Sequence, residues 1–240
     1  MRILRYIFIL ILILIVGIIV LTRIPAVQDR VTANAINRIL SSQTTLPEDA
    51  LSAVVCGSRS PLPAPGRAEA CILIKAGKNL YVIDVGDGSV TNLRNWRIDL
   101  GNVKAALFTH LHSDHISDLA DLHLNAWIAQ SRSKKISVYG PKGVETVTKG
   151  FEDAYALDYL FRNEHHGDEV APLDVSGFEP YPIDLSNPVI INDDGLKVTA
   201  FAVVHDPVEP ALGYRFDYKG RSIVISGDTI YHENVIKNSL

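Results

Sequence analysis

The segment FTHLHSDH, residues 108–115, places His110, His112, Asp114 and His115 within six positions. Imidazole nitrogens and carboxylate oxygens are zinc donors. The whole chain has only eight histidines, so three of them together are hard to attribute to a solvated polar loop. The run VKAALF before the cluster reads as a buried strand, and Ile116 to Gln130 reads as a helix. The cluster therefore falls on a strand-to-helix loop, where several side chains can converge on one point. Adjacent His and Asp cannot all face a single ion comfortably. The spacing predicts two ions sharing one loop, His110 and His112 serving the first, Asp114 and His115 the second.

A half-filled site asks for further donors at other strand ends. AFAVVHD ends a strand at His205, and SIVISGDT ends one at Asp228. His205 is expected as a ligand, and Asp228 as a bridge, because a carboxylate can offer both oxygens. Asp84, at the end of the apolar run in LYVIDVG, is expected to support the site by accepting a hydrogen bond from a ligand imidazole or a loop amide. Other histidines read differently. His165 and His166 follow a helix end, where the dipole favours cationic His, although a pocket-lining role stays open. His232, just after the GDT turn, reads as a helix-start residue.

Those side chains need strands to carry them. LSAVVCG, ACILIKA, LYVIDVG, VKAALFTH and KISVYG are strand candidates, followed by PVIIN, LKVTAFAVVH, LGYRFDY and RSIVISGD. Leu119, Ala120, His123 and Trp127 share one helical stripe, and a second helix is expected over Val144–Arg162. Residues 163–188, rich in Pro, Gly and aromatics, read as an irregular excursion over a pocket. Strands with helices between them indicate an α/β domain with helices on the outer faces of packed sheets.

The amino terminus has another character. Tyr6 to Leu21 is an unbroken apolar run with Arg2 and Arg5 before it and Arg23 after it. No A-x-A pattern follows, which favours an uncleaved signal anchor over a cleaved signal peptide. The flanking charges keep the amino terminus inside and put the remaining chain in the periplasm or outside the cell. Residues 1–23 are thus expected to be a transmembrane helix and 24–50 a helical linker, with Val27, Val31, Ala35 and Ile39 at helical spacing. Residues 51–240 are expected to form the α/β domain that carries the histidine cluster. The net charge is −4, and −7 once residues 1–30 are set aside. An acidic domain argues against nucleic acid as a partner. Cys56 and Cys71 sit in apolar strand-like runs. They read as small buried hydrophobes, or as a disulfide if those strands pair in an oxidising compartment.

THLHSDH, IDVGDGS, VVHDPVEPALGYRF and VISGDT, in this order, resemble the metallo-β-lactamase superfamily and its ribonuclease Z-like branch, from about Leu51 to the end. The resemblance implies an αββα sandwich with metals at one edge of two sheets. It implies His110, His112 and His205 on one zinc, Asp114 and His115 on the other, and Asp228 bridging. His112 stands where the redox di-iron members carry Glu, which argues for a hydrolytic site. Asp228 stands where the β-lactamases usually carry Cys, which argues against antibiotic hydrolysis.

Two departures shape the functional expectation. The family supplies a last histidine from a later strand, and the chain reads as C-terminally incomplete without it. Ribonuclease Z inserts an arm after the GYR strand, where this sequence has a plain hairpin. The expected function is therefore a membrane-anchored two-zinc hydrolase of a small ester (phosphodiester, sulfate ester or lactone). A hydroxide between the ions would be the nucleophile, and Asp114 would orient it and take its proton. The alternatives are a ribonuclease Z-type tRNA 3′-endonuclease and a non-catalytic, metal-stabilised binding domain.

Overall fold

The computed structural model describes residues 2–41, 46–129 and 132–240. The chain divides into two units, residues 1–44 and residues 45–240.

The first unit contains α1 (Arg2–Leu21) and α2 (Pro25–Ser41). Among the described residues no helix is long and apolar enough to cross a membrane. This corrects the expected transmembrane helix, and the membrane-anchored periplasmic or extracellular localisation falls with it. The apolar run Tyr6–Leu21 is 16 residues long. At roughly 1.5 Å per residue it reaches about 24 Å, short of the ~30 Å hydrocarbon layer. In α2, Val27 is half-buried and Val31 exposed, while the side chains of Ala35 and Ile39 lie outside the described residues.

The second unit is an α/β sandwich. Its first sheet takes β1 (Leu51–Gly57), β2 (Cys71–Ala76), β3 (Asn79–Ile83), β4 (Val103–Leu107), β5 (Ile136–Gly140) and β6 (Phe178–Pro182), in that spatial order. β1, β2 and β3 pair antiparallel, and β3 to β6 pair parallel. The parallel crossovers carry α3 (Ser89–Asn95), α4 (Ser113–Ile116), α5 (Leu119–Ala129) and α6 (Val144–His166). The second sheet is antiparallel, in the order β10 (Arg221–Ile225), β9 (Val208–Tyr218), β8 (Leu196–His205), β7 (Val189–Asp193). α7 (Glu233–Ser239) follows it.

Strand β3 shows why the layers form. All five of its residues are buried, as a strand covered on both faces requires. Leu80 and Val82 face the helices, with Val103, Leu119 and Val138. Tyr81 and Ile83 face the second sheet, with Val198, Leu212, Tyr214 and Phe216. The stripe of Leu119, Ala120, His123 and Trp127 on α5 is buried.

Two local expectations fail. Residues 163–188 are not an irregular excursion: α6 runs on to His166, and β6 adds to the sheet edge beside β5. The prolines of FEPYP hid that strand, and an edge is where a strand tolerates them. α3 was not foreseen either. It is a short helix after Gly88, which takes the left-handed conformation at φ +79°.

Cys56 and Cys71 are joined in a disulfide across the β1–β2 pair, with Cα atoms 5.0 Å apart. It closes the loop from Gly57 to Ala70.

Candidate metal centre

The candidate site lies where β3, β4, β8 and β10 end. After Leu107 the chain leaves β4, and four hydrogen bonds fix its path. Thr109 NH donates to Asp84 Oδ1 (2.8 Å), and Thr109 Oγ1 donates to Asp84 Oδ2 (2.8 Å). Leu212 NH donates to the Thr109 carbonyl (2.9 Å), and the Tyr214 hydroxyl donates to the Phe108 carbonyl (2.6 Å). The loop is thereby tied to β3 on one side and β9 on the other. Two glycines permit the close approach. A Cβ on Gly86 would lie 2.1 Å from the Asp114 carbonyl, and one on Gly227 (φ +62°) would lie 2.8 Å from Thr109 Cβ.

The donor atoms fall into two groups. His110, His112 and His205 place one ring nitrogen each within 4.8 Å of the others. His110 Nε2 and His112 Nδ1 are 2.9 Å apart, and His205 Nε2 is buried with no hydrogen-bond partner. His110, His115 and Asp228 form the second group, within the same limit. His115 Nε2 lies 3.8 Å from Asp228 Oδ2 and 3.6 Å from Asp114 Oδ2. His110 belongs to both groups. The loop arithmetic of two donors per ion did not foresee that sharing, and Asp114 stands beside the second group.

Burial separates the members. His110 is 0% exposed, His115 2% and Asp114 5%, whereas His112 and Asp228 are exposed. A buried imidazole among three others resists protonation. Burial, then His115, His112 and His205, push His110 down to about 3. That leaves a neutral ring with a lone pair, the state a metal ligand needs. His115 differs. Burial pushes it down, but its hydrogen bond to Asp84 (Nδ1 to Oδ2, 2.8 Å) and the charges of Asp84, Asp228 and Asp114 hold it above its ordinary value. Burial likewise holds the Asp84 carboxyl up, against the pull of His115 and Thr109. Asp84 engages Nδ1 of His115, so Nε2 is the atom turned toward Asp114 and Asp228.

Nitrogen and carboxylate donors converging with one buried nitrogen left unpaired fit a divalent metal such as zinc. A cavity of about 400 Å³ opens beside the second group, lined by Asp84, Asp114, His115 and Asp228 with Ser58 and Ser60 of the disulfide-closed loop. Residues 163–188 contribute nothing to its wall. His165 and His166 are exposed in the last turn of α6. His232 caps α7, its Nδ1 accepting from Asn234 NH (3.3 Å).

The model of the metallo-beta-lactamase superfamily matches residues 64–240. A ribonuclease Z of Mycolicibacterium paratuberculosis is 30% identical over 184 residues, covering 75% of this chain and 63% of that protein. A ribonuclease Z of Mycobacterium marinum is 30% identical over 176 residues, covering 72% of this chain and 61% of that protein. The chain thus spans less than two thirds of these relatives. Human tRNase Z, short form, shares the fold at TM-score 0.59 and 21% identity, over 77% of this chain and 73% of that one. These relatives correct the expectation of a small-molecule substrate with nucleic acid disfavoured. Net charge sums over a whole surface and does not report the field at one cleft.

Proposed function

We propose that this chain, which belongs to the metallo-beta-lactamase superfamily, is a metal-dependent hydrolase of ribonuclease Z type, a phosphodiesterase acting on tRNA. The observation that carries the reading is the relationship to ribonuclease Z at 30% identity, in a chain whose superfamily match, residues 64–240, includes every donor of both groups. In this reading His110, His112 and His205 hold one zinc. His115 and Asp228 hold a second, with Asp114 beside them and His110 between the two. Metals so held supply charge stabilisation at the phosphoryl group and activate water at neutral pH.

The chain's own residues set the geometry. Asp84 fixes the ring of His115 and the backbone of Thr109 at once, so the supporting carboxylate expected from the sequence reaches both partners proposed for it. Asp114 is buried beside His115, where its carboxylate can orient the nucleophile and accept its proton. Exposed Asp228 and His112 leave the cluster open on the side from which a polymer backbone can approach. The turn between β9 and β10 is Lys219-Gly220, both at positive φ, so contacts to the substrate come from other parts of the surface.

Incubation of the zinc-loaded chain with precursor tRNA carrying a 3′ trailer tests the proposal. Release of the trailer, lost in His110→Ala, is expected. Intact precursor in the presence of bound zinc would overturn it.

A further inference from the structure

At the opposite end of the strands from the histidines lies a second cavity, of about 620 Å³. That is within the range of small-molecule sites, roughly 300–1,000 Å³. Its wall comes from the β2–β3 turn, the start of β4, the approach to β5, and β7. Among the described residues five cationic side chains line it against a single carboxylate, Asp193, in a chain whose net charge is −4. Chance placement in an acidic protein does not favour that ratio.

The cations divide by their contacts. Arg132 is turned onto the carbonyls of Val103 (3.0 Å) and Lys134 (3.2 Å), so it builds the wall. Lys135 lies 3.8 Å from Glu152. Lys78, Lys104 and Lys134 are exposed and have no ion-pair partner among the described residues. Three uncompensated ammonium groups, from the β2–β3 turn, the start of β4 and the approach to β5, suit one multiply charged anion. Beside them the wall includes the half-buried apolar side chains of Tyr139 and Ile190. Tyr139, held by stacking on Tyr181 (centroids 4.8 Å apart, planes at 16°), and Ile190 present a face for a planar ring. Asn192 adds an exposed amide on the same wall.

We infer that this cavity binds a nucleoside phosphate, with its phosphates among Lys78, Lys104 and Lys134 and its base against Tyr139 and Ile190. The site is remote from the metal cluster and stands apart from the reading of that cluster. The same chemistry is offered by a free nucleotide and by a nucleotide within an RNA strand.

Calorimetric titration of the full chain with ATP in EDTA tests the inference. Saturable binding is expected, weakened about tenfold or more in the Lys104→Ala/Lys134→Ala double variant and unchanged in His110→Ala. Competition by a short single-stranded RNA would assign the site to an RNA nucleotide, and lack of competition to a free one. Absence of saturable binding at millimolar ATP would overturn the inference. So would binding that ignores the lysine changes, or inorganic tripolyphosphate binding as tightly as ATP.

Discussion

The two halves of the histidine cluster are built on different principles. Among the described residues the His110–His112–His205 corner contains no carboxylate, and His110 Nδ1 is in hydrogen-bond contact with Thr109 Oγ1 (3.1 Å). The His115–Asp228 corner is rich in carboxylates, and its histidine is held by buried Asp84. A metal in the first corner would meet neutral donors, and one in the second would meet anions. His110 lies in both, so the corners are coupled through one buried ring. The difference teaches that orientation is supplied by packing and burial on one side and by a charged hydrogen-bond network on the other. Substitutions should separate the two.

Removal of His110 should do most. His110→Ala takes a donor from both groups, and activity is expected to fall about 1,000-fold or more with loss of bound zinc. Elemental analysis beside the tRNA assay checks this, and retention of two metals would break the coupling. Asp84→Asn should act chiefly on the second corner, whose histidine Asp84 contacts directly, while Thr109 links it to the first only at one remove. It is expected to weaken one zinc equivalent by about 10- to 100-fold and leave the other in place. Stepwise chelator titration reads the two equivalents. Equal weakening of both would show that Asp84 supports the whole loop rather than one ring.

Stability sharpens the comparison further. The disulfide closes the loop that carries Ser58 and Ser60 to the second corner's cavity. Cys56→Ser/Cys71→Ser is expected to cost about 3 kcal/mol in denaturant unfolding, the value for a loop of about 15 residues. The zinc of the first corner should be unaffected.

His123 gives the contrast of a buried histidine outside the cluster. Its Nε2 accepts from Gly177 NH (2.8 Å), and burial, then Arg132 and Lys135, push it down to about 4. The unfolded chain binds this proton below its ordinary pKa of 6.5. Stability from His123 is therefore fully present above pH 6.5 and is lost as pH falls toward 4. Its size is up to about 3 kcal/mol. Asp118 works in the opposite sense over much of the same window, since burial pushes it up to about 6. The difference between the wild-type and His123→Gln unfolding curves isolates the histidine. A variant with the same pH slope as the wild type would contradict the assignment.

Much of the site was legible in the sequence because its donors stand at strand ends. A buried strand is a continuous apolar run, and the first polar residue after it marks where the chain emerges. His110, His205, Asp228 and Asp84 are all found by that rule. The sharing of His110 was not legible. It depends on ring orientations set by Asp84 and by the approach of β8, which lie 26 residues before it and up to 95 after it. The other strands were legible as apolar runs, but β6 was not, because proline removes the strand signal while a sheet edge accepts it. The anchor expectation failed on length, and the small-molecule expectation failed because total charge was read as local charge.

Anomalous diffraction at the zinc edge, from crystals of the zinc-loaded chain, tests the metal assignment most directly. One peak is expected bounded by His110, His112 and His205, and a second at His115 and Asp228 beside Asp114. A zinc-loaded crystal with its peaks elsewhere, or with none at these residues, would contradict it.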